Sequence, residues 1–165
     1  MKISVFVDGA NFFFMQKDLG WFVDLKKLLE YIARKGQIVD ASYYVGMDIV
    51  PEVKQQGFLD ALPFMGFSVV TKPIKTIYDP VSGTQKKKAN LDIEIVLDMF
   101  NTIDNYDMAV LVSGDGDFER VLQLLKVRGK QFFVIATDKF MARELRNVAG
   151  RHYISLEEIR QEIAK

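Results

Sequence analysis

The chain has 165 residues, 49% hydrophobic and 27% charged, which suits one soluble globular domain and is too short for two ordinary ones. Lysine plus arginine number 22 and aspartate plus glutamate also 22, so the formal charge is zero and argues against generic polyanion binding. No cysteine and a single histidine exclude disulfides, thiol catalysis, Fe–S clusters and cysteine- or histidine-built zinc sites, leaving carboxylates as the tools for chemistry.

Residues 3–7 are a short β-branched and aromatic run ending at Asp8-Gly9, which predicts a buried strand. That run is too short and too soon interrupted for a signal peptide, and no segment holds the roughly eighteen apolar residues of a membrane span. A cytoplasmic protein without membrane contact is the expectation. Phe12, Phe13 and Phe14 predict a short helix. Asp24 is an N-cap for a helix with Leu25, Leu28, Leu29 and Ile32 on one face, closing at Gly36. A second strand covers 38–45. Pro51 suits the first turn of a helix running to about Met65 and ending near Gly66. Residues 67–71 predict a third strand. The stretch 72–88, with Pro73, Pro80, Ser82-Gly83 and Lys86-Lys87-Lys88, reads as a loop or a small hairpin.

A strong helix is predicted over 89–103 and a fourth strand over 108–112, which enters Ser113-Gly114-Asp115-Gly116-Asp117. The next helix carries Phe118, Val121, Leu122 and Leu125 on one face and stops at Gly129. A fifth strand covers 131–136, and a helix runs from about Lys139 to Val148. Tyr153-Ile154 predicts a short last strand. Ser155, with Glu158 three residues on, reads as a capping box for the terminal helix. Strands alternating with helices, with no repeat or linker between them, predict one domain over 1–165. Its sheet should be mostly parallel, with helices on both faces.

The balanced charge is unevenly distributed. Residues 91–119 hold eight acids and no lysine or arginine. The five bases of 66–90 face Asp79 alone, and the eight of 120–153 face Asp138 and Glu144. Asp8 ends the first strand, and Asp115 and Asp117 follow the fourth. In an open parallel sheet ligands bind beyond the carboxyl ends of the strands, at the switch in strand order. If those two strands are neighbours there, the three carboxylates converge. Taken singly, Asp117 reads equally as a helix cap and Asp115 as a turn residue.

Asp92 carries a separate argument. It lies in line with Ile95, Val96, Met99 and Ile103, so it faces the protein, where an unpaired carboxylate is costly and needs a cation. Glu94 and Asp98 lie with Asn101 on the other face and read as solvated surface. Four carboxylates without cysteine or a histidine cluster suit a hard, oxygen-seeking ion, Mg²⁺ or Mn²⁺ rather than zinc. Asn11 and Ser113 are placed to hold a metal water or a phosphate.

Val7-Asp8-Gly9-Ala10-Asn11, Lys88-Ala89-Asn90-Leu91-Asp92 and Val112-Ser113-Gly114-Asp115-Gly116-Asp117-Phe118 together resemble the three signatures of the NYN domain. The resemblance covers nearly the whole chain and points to the LabA-like bacterial branch of the PIN-like nuclease superfamily. It implies a PIN-like three-layer α/β/α sandwich around a mostly parallel sheet. It also implies a Mg²⁺- or Mn²⁺-dependent ribonuclease site on Asp8, Asp92, Asp115 and Asp117, supported by Asn11 and Ser113. RNA phosphodiesters would be hydrolysed to leave a 5′-phosphate and a 3′-hydroxyl. Arg151 stands where many relatives carry an acid, so the resemblance carries over four acids and not a fifth.

On this reading Lys86, Lys87, Lys88, Arg143, Arg146 and Arg151 contact the RNA backbone; the aromatics read mostly as core, with a base-stacking face among Phe12–Phe14 and Tyr78 as the alternative. His152 is too isolated to act as a general base. Assigning four aspartates to metal leaves 18 acids against 22 bases, so neutrality no longer excludes RNA.

Other enzyme classes lack their marks. There is no G-x-G-x-x-G after the first strand and no G-x-x-x-x-G-K-[ST]. An aspartyl-phosphate phosphatase would need an acid where Ala10 stands. The rival reading is a non-catalytic regulatory or RNA-binding module that keeps the fold. An exposed face of so small a sandwich would suit a homodimer, and the rival reading implies regulatory protein partners.

Overall fold

The computed structural model describes residues 1–47 and 52–165, with the side chains of residues 86–88 outside that set. Its centre is a six-stranded parallel sheet. The strands are β1 (Lys2–Asp8), β2 (Gln37–Met47), β3 (Ser68–Pro73), β6 (Met108–Val112), β7 (Gln131–Ala136) and β8 (Tyr153–Ser155). Their spatial order is β3-β2-β1-β6-β7-β8, so the middle of the sheet is β1 beside β6. Every residue of β6, and every residue of β1 after Lys2, is buried. This is the continuous apolar run of a strand covered on both faces. Each Val, Leu or Ile there contributes about 1.5–3 kcal/mol by burial.

Among the described residues seven helices accompany the sheet: α1 (Gly9–Leu19), α2 (Leu25–Ala33), α3 (Val53–Ala61), α4 (Asp92–Asn101), α5 (Glu119–Val127), α6 (Arg143–Ala149) and α7 (Arg160–Ile163). From β1 the chain steps outward through β2 to β3. It then crosses back to β6 and steps outward the other way through β7 to β8. Right-handed crossovers therefore put α1, α2 and α3 on one face and α4, α5 and α6 on the other. The expected three-layer α/β architecture results. The terminal α7 returns to pack on α2, where Val23 bridges Ala164. Among the described residues, no helix is long and apolar enough to cross a membrane.

The ends of the helices depart from the sequence reading in instructive ways. Asp24 caps α2 as expected, accepting from the Lys26 and Lys27 amides. Pro51 lies outside the described residues. Its helix stops at Ala61, because Pro63 has no N–H to continue the ladder and instead opens a 3₁₀ turn, Pro63–Met65. Of the predicted stretch 72–88, Lys72 and Pro73 still belong to β3, and the rest takes the hairpin alternative, with β4 (Lys75–Tyr78) antiparallel to β5 (Gln85–Lys88) and outside the main sheet.

The predicted helix from Lys139 starts four residues late. Thr137 Oγ1 accepts from the Phe140 amide, and the Ala142 amide is drawn to Gly114 O, so the chain turns across the β6 loop before α6 begins. The capping box at Ser155 does not form. Ser155 is still paired in β8, its hydroxyl donates to Glu157, and the last helix is a single turn from Arg160.

Candidate metal centre

The reversal of strand order between β1 and β6 is a topological switch point, where the crossovers leave on opposite faces and open a crevice. In it lies a cleft of about 240 Å³ lined by Asp8, Asn11, Phe14, Tyr44, Asn90, Asp92 and Asp115, among others. Three chain segments meet there, and each is built to hold one acid.

Asp8 is the last residue of β1 and the N-cap of α1, its Oδ1 accepting from the Asn11 amide at 3.3 Å. Gly9 must follow, because a Cβ there would lie 2.4 Å from the Tyr44 carbonyl on β2. The fully buried Ser113 hydroxyl, at the end of β6, donates to Asp8 Oδ2 at 2.9 Å and accepts from the Asp115 amide at 3.2 Å. Asn11 Oδ1 accepts from the Gly114 amide at 2.9 Å, stitching α1 to the β6 loop. Gly114 has no room for a side chain, since a Cβ would lie 2.2 Å from Phe140 O.

Asp115 caps the 3₁₀ turn Gly116–Phe118 through the Asp117 amide, at 2.9 Å. Asp92 opens α4, and its amide donates to Asn90 Oδ1 at 2.8 Å, so the β5–α4 connection closes as an Asx-turn. Three oxygens, one each from Asp8, Asp92 and Asp115, lie within 4.8 Å of one another. Asp117 is exposed and stands outside that group, although its charge reaches Asp92.

The electrostatics are those of an unneutralised site. Burial pushes the Asp92 carboxyl up to about 6, helped by the charges of Asp8 and Asp115. Burial also raises Asp8, against the opposing hydrogen bond from Ser113. Asp92 Oδ2 is buried without a hydrogen-bond partner among the described residues, as is Glu94 Oε2 further along α4. Among the described side chains no lysine or arginine forms an ion pair with these three acids. An all-oxygen donor set with an orphaned buried carboxylate oxygen fits a hard divalent cation.

A profile of the NYN domain matches residues 2–157. The chain belongs to the NYN domain family. It is 45% identical over 167 aligned positions to "Low amplitude and bright protein LabA" of Synechococcus elongatus, covering 99% of this chain and 88% of that protein. A crystal structure of a protein of unknown function from Vibrio parahaemolyticus shares the fold with a TM-score of 0.82 at 23% identity. That likeness covers 99% of this chain and 96% of the other. The three NYN-like signatures fall on the three segments just described, at β1–α1, β5–α4 and β6–α5.

The remaining sequence-predicted residues are not gathered in the cleft lining, and Arg151, which precedes β8, lies toward the opposite end of the parallel sheet. Arg143 is exposed at the start of α6 and Arg151 in the turn before β8. Arg146 is committed locally, stacking on Tyr153 at 5.3 Å and pairing with Asp138 at 3.9 Å. Lys86, Lys87 and Lys88 lie on β5, which leads through Ala89 and Asn90 into the cleft; their side chains lie outside the described residues.

Glu94 and Asp98 are not the solvated pair expected. Glu94 pairs with Lys72 at 2.8 Å, and Asp98 accepts from the Tyr44 hydroxyl at 2.8 Å, both half-buried. Asn90 was readable as the first residue of an Asn-x-Asp turn. Glu144 was not, yet its carboxylate packs over Gly116, 3.1 Å from where a Cβ would sit.

Proposed function

We propose that this protein is a divalent-metal-dependent ribonuclease acting at the β1–β6 switch point, with Mg²⁺ or Mn²⁺ as its ion and a cytoplasmic setting. Membership of the NYN family supports nuclease-type chemistry in general. The observation that carries the reading is the buried, unpartnered Asp92 Oδ2 beside Asp8 and Asp115.

Asp8, Asp92 and Asp115 would hold the ion. Asp117, next along the chain and exposed, is free to join them from the rim. When bound, such an ion supplies charge neutralisation at a phosphoryl group and a more acidic water. Ser113 fixes Asp8 from below and the Asp115 backbone from behind, so two ligands are oriented by one buried hydroxyl. Asn11 uses its carbonyl oxygen on Gly114, which leaves its amide NH₂ as a donor for a phosphate oxygen at the cleft. Because Asp92 titrates near 6, cation binding there competes with a proton and strengthens as pH rises through that value. The basic β5 run and Arg143 would steer the RNA backbone; Arg146 has less freedom to do so, and Arg151 lies toward the far end of the sheet.

The second reading is a regulatory or RNA-binding module without turnover, with protein partners or a second copy of the chain. It is favoured by one observation: the cyanobacterial relative's name describes amplitude and brightness rather than a reaction. One experiment separates the two. Mixed RNA is incubated with the protein and Mn²⁺, with and without chelator, beside Asp92→Asn and Asp115→Asn. The nuclease reading expects chelator-sensitive cleavage that both substitutions lower by more than about 100-fold, beyond the effect of losing a mere supporting residue. Binding without cleavage, or cleavage that survives both substitutions, contradicts it.

A further inference from the structure

We infer that Phe14 is a platform on which a base of the bound RNA stacks beside the carboxylate cluster; this rests on the ribonuclease reading and deepens it. Helix α1 turns two faces to different work. Phe12 and Met15 point into the core and are 1% and 0% exposed. Ala10, Asn11 and Phe14, at helical spacing i, i+1 and i+4, line the carboxylate cleft. Phe14 is 54% exposed although it lies on that wall. Isolated exposed aromatics are ordinary on a protein surface. This one shares its cleft with Asp8, Asp92 and Asp115, so a flat apolar ring and a cation-seeking carboxylate cluster face the same small volume.

Phe13 packs edge-on against Phe14, with centroids 5.7 Å apart and planes at 70°, which limits the rotamers of the ring and lowers the entropy lost when a base covers it. A ring beside a metal-seeking site matches the two halves of a nucleotide: the base for the ring, the phosphate for the cation. Any of the four bases presents a π-face, so the platform is tolerant of sequence. A duplex keeps its bases stacked on one another and cannot offer that face without unstacking.

The test uses a single-stranded RNA carrying 2-aminopurine, whose fluorescence reports stacking, titrated with the protein in Ca²⁺. Phe14→Ala is expected to weaken binding roughly ten- to hundred-fold and to abolish the fluorescence change, with Phe14→Trp restoring both. Phe22→Ala removes an equally exposed aromatic outside the cleft lining and is expected to change neither. An abasic site at the probe position should erase the difference between wild type and Phe14→Ala, and annealing the complementary strand should remove the signal.

Equal affinity of wild type and Phe14→Ala for the intact strand overturns the inference. So does a Phe14→Ala defect that persists undiminished on the abasic strand, or one that tracks loss of a dimer in sedimentation. Cleavage in Mn²⁺ is scored separately: stacking without cleavage defeats the ribonuclease reading and leaves the platform standing, whereas cleavage without stacking does the reverse. No RNA binding at all defeats both.

Discussion

Asp92 and Asp98 stand on one helix, less than two turns apart, and both are half-buried acids on α4. They do opposite things. Asp98 receives the Tyr44 hydroxyl at 2.8 Å and ties α4 to β2, as Glu94 ties it to Lys72 on β3. Asp92 has a buried oxygen with no partner among the described residues and sits against two other carboxylates. Exposure alone does not separate a structural acid from a functional one; the presence of a protein partner does. Asp98 and one oxygen of Glu94 find partners within the fold, although Glu94 Oε2 is left without one, whereas the strand-end cluster gathers three carboxylates with no cation among the described side chains. Holding three acids together disfavours the folded state, and the hydrogen bonds of the Ser113 hydroxyl to Asp8, of the Gly114 amide to Asn11 and of the Asp92 amide to Asn90 keep them in place regardless.

Three substitutions sharpen that contrast, in descending order of effect. Ser113→Ala removes a buried hydroxyl that orients Asp8 and the Asp115 backbone at once. It is expected to weaken divalent-ion affinity about 10- to 100-fold in a Mn²⁺ titration, and an unchanged affinity would show the hydroxyl to be dispensable. Tyr44→Phe acts on the satisfied acid. It should destabilise the fold by about 1–2 kcal/mol, seen as a drop of several degrees in Tm, while Mn²⁺ affinity stays within about two-fold. A large loss of affinity with no loss of stability would reverse the roles assigned to the two acids.

Asp92→Asn is expected to stabilise the metal-free protein. The folded carboxyl titrates near 6, above the ordinary 3.8, so between those values the folded state binds the extra proton. Its penalty is therefore full above pH 6 and gone below pH 4. The variant should gain about 1 kcal/mol at pH 7, after allowance for solvent screening, and nothing at pH 4. Calorimetry at the two pH values checks this, and a variant less stable than wild type at pH 7 would contradict it.

Much of this was legible in the sequence because it depends on local chemistry. A buried strand ending in Asp8, a cap at Asp24 and an acid set into the apolar stripe of α4 each follow from neighbours a few residues away. The β6 loop was legible as a set of acids, and the parallel β1–β6 pairing brings Asp115 to Asp8. What escaped depends on distant contacts. Asp98 looked solvated until β2 delivered Tyr44, and the start of α6 moved because Gly114 claims the Ala142 amide. Ser155 satisfied a capping pattern, yet β7 holds it extended in the sheet. Phe12, Phe13 and Phe14 are identical in sequence terms, and only the packing of α1 separates the core ring from the cleft ring.

The most direct measurement is a Mn²⁺ titration followed by the electron paramagnetic resonance signal of the free ion, on wild type, Asp92→Asn and Asp98→Asn at pH 7.5. The account predicts saturable binding by wild type and Asp98→Asn, and its loss in Asp92→Asn. Equal binding by all three, or loss confined to Asp98→Asn, would contradict it.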